Sequence, residues 1–217
     1  MTEDLNPQNE WEIDNLPNRL TLFRILIIPI IILSLALQST NVMLPYHYFL
    51  GHLAGWLFVV ASITDFLDGY IARKRKIVTV FGSFLDPVAD KFLVVSSLIM
   101  LLALGRIPSL IVIVLVLREI YITALRLLAH ERGVIVPVGS IGKWKTALQM
   151  IGIPMLMINV PLLGIPFPTL GLVMMYLTTF LSIYSATDYS LEAVKKMKNA
   201  MLEKIKKTHI KGDSSDV

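Results

Sequence analysis

Residues 47–104 read HYFLGHLAGWLFVVASITDFLDGYIARKRKIVTVFGSFLDPVADKFLVVSSLIMLLAL. Two apolar runs flank a segment that carries Asp65, Asp68, Asp86 and Asp90. Each run approaches the roughly 20 residues that a helix needs to cross the hydrocarbon core of a bilayer. Such runs read as helices, because only a helix or a closed barrel satisfies its own backbone in lipid. A carboxylate is costly in or beside hydrocarbon, so four of them together need partners of opposite charge. The stretch therefore predicts a membrane protein with metal-assisted chemistry on an anionic substrate at a bilayer surface.

The same pattern continues outward along the chain. Apolar segments run over 20–39, 47–66, 83–104, 108–129, 144–161 and 168–187, and the second is expected to continue as helix to about Lys74. Pro45, Pro108, Pro161, Pro166 and Pro168 punctuate the joins, as do Gly133 and the stretch from Gly139 to Gly142. The expected fold is an all-α integral membrane protein with six transmembrane helices. Its orientation follows from Lys and Arg. The short loops at 40–46, 105–107 and 162–167 hold one basic residue between them, Arg106. Nearly all the others lie on the opposite side, so both termini and the loops near 75 and 135 are predicted cytoplasmic. Three parts are expected: an interfacial segment 1–17, a catalytic membrane domain 18–190 and a basic cytoplasmic tail 191–217, whose final Gly212 to Asp216 read as irregular.

Composition agrees. The chain has 217 residues, of which 55% are hydrophobic and 17% charged, and its mean hydropathy is +0.68. That is too apolar and too weakly charged for an ordinary soluble domain. There is no cysteine, which excludes disulfides and thiol catalysis. No basic region or small-residue cleavage site precedes the first apolar run, so no removable signal peptide is expected. Basic residues cluster at Arg19 and Arg24, at Arg73 to Lys76, at Arg126 to Lys145 and at Lys195 to Lys207. Each cluster lies beside an apolar segment end, which points to a membrane surface and not to nucleic acid.

The acids have helical spacing. Asp65 and Asp68 are i, i+3, and Asp86 and Asp90 are i, i+4, so each pair shares one helix face. Antiparallel neighbours joined by a short loop bring the two pairs to similar depth. Four like charges in one place cannot all stay ionised without cations. Hard oxygen donors suit magnesium or manganese, which commonly also bind substrate phosphates. Two such ions can clamp the attacking and leaving oxygens of a phosphoryl displacement. Gly69, Ala72 and Gly82 leave the helix surface open beside the acids, and Arg73 can pair with phosphate. Taken singly, these small residues would equally ease helix packing in a membrane.

The pattern Asp-x2-Asp-Gly-x2-Ala-Arg-x8-Gly-x3-Asp-x3-Asp resembles the signature of the CDP-alcohol phosphatidyltransferases at every fixed position. The resemblance implies that Asp65, Asp68, Asp86 and Asp90 hold two Mg2+ or Mn2+ ions, with Asp90 also the general base. It implies a CDP-binding set of Asp65, Gly69, Arg73, Gly82, Asn18 and Thr21. Four further stretches resemble the branch of the family that uses glycerol 3-phosphate: Asn15 to Arg24, Thr79 to Lys91, Arg118-Glu-Ile through Arg126, and Gly142-Lys-Trp-Lys-Thr146. The implied partners are CDP-diacylglycerol, glycerol 3-phosphate and membrane lipid, and the implied assembly is a homodimer in the cell (inner or plasma) membrane with its active site on the cytoplasmic side.

Glycerol 3-phosphate brings a dianion. Arg118 and Glu119 lie well inside the fourth apolar segment, where charge is usually functional. Arg126 lies about two turns nearer the cytoplasm and Lys143 begins the next segment, so the three cations Arg118, Arg126 and Lys143 are candidates for an acceptor-phosphate pocket. For Arg126 and Lys143 the alternative is snorkelling at the interface. Two rival functions remain: an inositol-phosphate, serine or cardiolipin-forming relative, and a divalent-cation transporter. Against the transporter, the acids cluster at one edge and not near the midplane.

Overall fold

The computed structural model describes the backbone of residues 16–40, 45–75, 80–137, 140–162 and 164–213, and the side chains of 19–40, 45–67, 85–137, 142–162 and 164–202. Among the described residues, six helices follow one another: α1 (Leu16–Gln38), α2 (His47–Arg75), α3 (Val80–Ala103), α4 (Ser109–Glu131), α5 (Ser140–Ile158) and α6 (Phe167–Asp213). Their bounds follow the apolar segments closely, and α2 continues past the acids to Arg75 as its sequence predicts. Helix α6 is longer than its apolar segment. It runs without interruption from the apolar stretch into the basic tail and includes Gly212 and Asp213, which had been expected to be irregular.

Among the described residues, three helical stretches, Arg19–Gln38, His47–Leu67 and Phe167–Leu202, are long and apolar enough to cross a membrane. The apolar stretches of the other helices hold Asp86, Asp90 and Lys91 on α3, Arg118, Glu119 and Arg126 on α4, and Lys143 and Lys145 on α5. Large apolar side chains also point outward on several helices, including Leu26, Phe66, Leu110 and Phe180. A water-soluble protein rarely exposes so much apolar surface, whereas a lipid-facing one must.

The chain forms two compact units. The first comprises 1–112 and 149–175, the second 113–148 and 176–217. In the first, α1 packs against α2 and α3. Ile31, Leu35, Phe58, Leu93, Leu101 and Met157 are among its fully buried side chains. Gly51 and Gly55, one turn apart on α2, let that helix close on the end of α5. A Cβ on Gly51 would stand 2.7 Å from Gln38 Nε2 and 2.9 Å from the Met157 carbonyl, and one on Gly55 would stand 2.7 Å from Ile158 Cγ1. Close backbone approach through small residues is how membrane helices gain packing contact.

Both α3 and α4 end in a left-handed glycine, Gly105 (φ 67°) and Gly133 (φ 69°). Backbone bonds from Gly105 to Leu102 and from Arg106 to Leu101, each 2.9 Å, close the end of α3. Arg106 is thereby aimed inward. Its Nη1 donates to the Leu156 and Met157 carbonyls (3.2 and 2.7 Å), and its Nη2 donates to Gln38 Oε1 (2.8 Å). Gln38 Nε2 in turn donates to the His47 carbonyl at 2.6 Å. One guanidinium thus ties the end of α1 to the end of α5, whose last carbonyls lack helical partners. Burial lowers the Arg106 pKa to about 10, which leaves it charged at neutral pH.

Candidate active site

The acids of the first unit converge on α1. Thr21 and Arg24 lie three residues apart on that helix and so share a face. The Thr21 hydroxyl donates to Asp86 Oδ1 at 2.5 Å. Arg24 Nη1 pairs with Asp65 Oδ1 at 2.7 Å and also with Asp90 Oδ1. Arg24 is fully buried, while the Asp65 and Asp90 side chains are 31% and 41% exposed. The arrangement has an inside and an outside. A cation sits at the bottom, bonded to one oxygen of each acid, and the carboxyl groups reach from it toward the surface.

Local structure explains this placement. Asp65 is two turns from the buried Phe58 on α2, and Asp90 adjoins the buried Ala89 and lies one turn from the buried Leu93 on α3. Packing α2 and α3 against α1 therefore carries their acids onto the α1 face that bears Thr21 and Arg24. Pro87, which stands between Asp86 and Asp90 in sequence, has no N–H to donate to the Ser83 carbonyl of α3. A fully buried guanidinium would be strongly destabilising alone, and two carboxylates this close would repel one another without it. Each group makes the other's position tenable.

Asp68, Gly69, Arg73, Gly82 and Asn18 lie outside the described side chains. Among the described residues, no three acids by themselves form a metal-binding group. The donor chemistry nevertheless fits a hard divalent cation: Asp65 and Asp90 turn carboxylate oxygens onto the same nitrogen of a cationic guanidinium.

The second unit holds the candidate acceptor cations. Arg118 Nη1 lies 3.2 Å from Glu119 Oε2, and its Nη2 donates to Ser185 Oγ at 3.3 Å. Lys145 Nζ reaches the same Glu119 oxygen at 3.0 Å, and the Lys145 side chain is 7% exposed. Buried Arg118 Nε, Ser182 Oγ and Tyr189 Oη have no hydrogen-bond partner among the described residues. Arg126 and Lys143 are exposed and are not joined to this cluster. The lysine of α5 that joins this cluster is Lys145, two residues beyond Lys143. Two residues on a helix turn the side chain to the opposite face. Gly142, Lys145 and Gln149 are all buried, at helical spacing, and that polar and small face was readable in the sequence.

Arg24 was also missed as a site residue. Its signal was present: a charge inside the first apolar segment, the same signal that singled out Arg118.

The sequence pattern of the family described as CDP-alcohol phosphatidyltransferase matches residues 14–184. A CDP-diacylglycerol–glycerol-3-phosphate 3-phosphatidyltransferase of Bacillus subtilis is 41% identical over 183 residues, covering 81% of this chain and 93% of its own. A protein of the same name from Rickettsia bellii is 46% identical over 143 residues, covering 66% of this chain and 75% of its own. A probable phosphatidylglycerophosphate synthase of Mycobacterium tuberculosis is 36% identical over 184 residues, covering 84% of this chain and 83% of its own.

Proposed function

The chain belongs to the CDP-alcohol phosphatidyltransferase family, and from that premise we infer that it transfers the phosphatidyl group of CDP-diacylglycerol to glycerol 3-phosphate, releasing CMP and forming phosphatidylglycerol phosphate. The names of its relatives support both substrates. The observation that carries the reading is the convergence of Asp65, Asp86 and Asp90, from two helices, on the Thr21 and Arg24 face of a third.

Asp65, Asp68, Asp86 and Asp90 would hold two Mg2+ or Mn2+ ions, which when bound neutralise the pyrophosphate and the charge that develops on the leaving group. Asp90 accepts the proton of the 1-hydroxyl of glycerol 3-phosphate. The freed oxygen forms a bond to the β-phosphorus of CDP-diacylglycerol. The bond from that phosphorus to the bridging oxygen breaks, and its electron pair leaves with CMP. Asn18, Thr21, Gly69, Arg73 and Gly82 line the CDP subsite in this reading, and Arg118, Arg126 and Lys143 receive the acceptor phosphate. Positioning and charge stabilisation account for most of the rate in phosphoryl transfer.

The protein is a membrane enzyme. We place it in the cell membrane with six spans, both termini and the active site on the cytoplasmic side, and 18–190 as the catalytic domain of a homodimer. The basic loops and the amphipathic substrate, whose tails stay in lipid, support that placement. The deciding experiment supplies purified protein with CDP-diacylglycerol, magnesium and one alcohol at a time. CMP release with glycerol 3-phosphate, and not with inositol phosphate, serine or phosphatidylglycerol, is expected. Preference for another alcohol would reassign the acceptor within the family.

A further inference from the structure

Arg24 has no place in the reaction as written above, yet it is the fully buried residue on which two of the four acids close. A charge count shows what it changes. Four ionised aspartates carry four negative charges, and two divalent cations carry four positive ones. These charges cancel, so Arg24 adds one unit of positive charge beside them, and the group to be bound is a pyrophosphate diester, an anion.

The position of Arg24 is as informative as its charge. It has no exposed surface, so its charge is held inside the packed helices. Leaving it without its carboxylates would be strongly destabilising. It pairs with one oxygen of Asp65 and one of Asp90. The guanidinium and an incoming cation would therefore draw on the same two acids.

We propose that Arg24 is a built-in counter-charge that weakens the site's hold on divalent cations taken alone and strengthens its hold on the pyrophosphate of the nucleotide substrate. It acts through Asp65 and Asp90 and is a positioning residue, not a catalytic one. The proposal rests on the functional reading above. Its consequence is ordered loading: metal is held firmly only when the anion is present, because the anion offsets the repulsion between Arg24 and the cations.

The sign of the effect makes the test sharp. Mn2+ binding to the full-length purified protein is read by electron paramagnetic resonance, first without nucleotide and then with CDP. Arg24→Gln should bind Mn2+ alone more tightly, by at least about tenfold, because a like charge beside the cation is gone. The same variant should bind CDP with Mn2+ more weakly, by a similar factor. Arg24→Lys keeps the charge and should restore both affinities toward wild type. A residue needed only for packing would weaken both together. Where Arg24→Gln proves too unstable, Arg24→Gln combined with Asp65→Asn removes one charge of each sign. Compared with Asp65→Asn alone, the pair should show the same two opposite shifts. Equal or weaker Mn2+ binding in the Gln variant would overturn the proposal, and so would collapse of both Gln-bearing proteins, which would assign Arg24 to folding. Unchanged Mn2+ and CDP binding in Asp65→Asn and Asp90→Asn would instead overturn the metal reading itself.

Discussion

Asp90→Asn separates chemistry from architecture, because the structure bounds the architectural cost. The amide has the shape of the carboxylate and keeps an oxygen that can accept from Arg24. Arg24 also keeps its pairing with Asp65 at 2.7 Å, so the buried guanidinium is not stranded. What is lost is the difference between a charge-assisted hydrogen bond and a neutral one, about 1–1.5 kcal/mol. For a chain of this size that corresponds to a melting shift of about 2–6 °C. Loss of a general base costs about 10²–10⁴-fold in rate, equivalent to about 2.7–5.4 kcal/mol of barrier. The catalytic loss should therefore exceed the structural one severalfold. The assay measures CMP release at saturating CDP-diacylglycerol and glycerol 3-phosphate, alongside thermal unfolding in the same detergent and CDP-diacylglycerol binding. A stable variant that binds substrate and turns over at least about 10²-fold more slowly is expected. Near wild-type turnover would refute the base assignment. A collapsed melting transition would show instead that Asp90 serves Arg24 before it serves the reaction.

Chelation with EDTA should abolish turnover, and added Mg2+ or Mn2+ should restore it; full activity in chelator would remove the central claim about the acids. Arg75→Cys, in a chain with no cysteine of its own, should resist an impermeant thiol reagent applied to intact cells and react after lysis, and labelling from outside would invert the topology. Arg118→Ala should raise the KM for glycerol 3-phosphate by about 10- to 150-fold, the worth of one charge-assisted contact, while the KM for CDP-diacylglycerol changes little. Arg118→Lys should recover only part, since a point charge replaces a fork; equal loss for both substrates would take Arg118 out of the acceptor pocket. Gly55→Ala should destabilise by about 1–3 kcal/mol through overpacking, since its Cβ would stand 2.7 Å from Ile158 Cγ1; an unchanged melting curve would mean that α2 and α5 are not in close contact there.

Much of this protein is local in origin. Unbroken apolar length set six helices, and Gly105 and Gly133 ended two of them in left-handed caps. The spacing of the acids put Asp65 with Asp68, and Asp86 with Asp90, on shared faces before any packing was known. These are properties of one helix at a time, governed by backbone hydrogen bonding in lipid and by a period of 3.6 residues. What the sequence could not rank was which polar groups meet across helices. Both Arg24 and Arg118 were charges in apolar segments, yet only packing α2 and α3 onto α1 made Arg24 the common partner of acids 41 and 66 positions away. Lys143 and Lys145 were equivalent by composition, and burial of one α5 face chose Lys145. Arg106 read as the lone basic residue of a loop, and only the approach of α5 to the end of α1 gave it carbonyls to bond. Helix phase fixes where a side chain points, but a buried charge is held only where a distant segment supplies its partner, and that choice belongs to the tertiary structure.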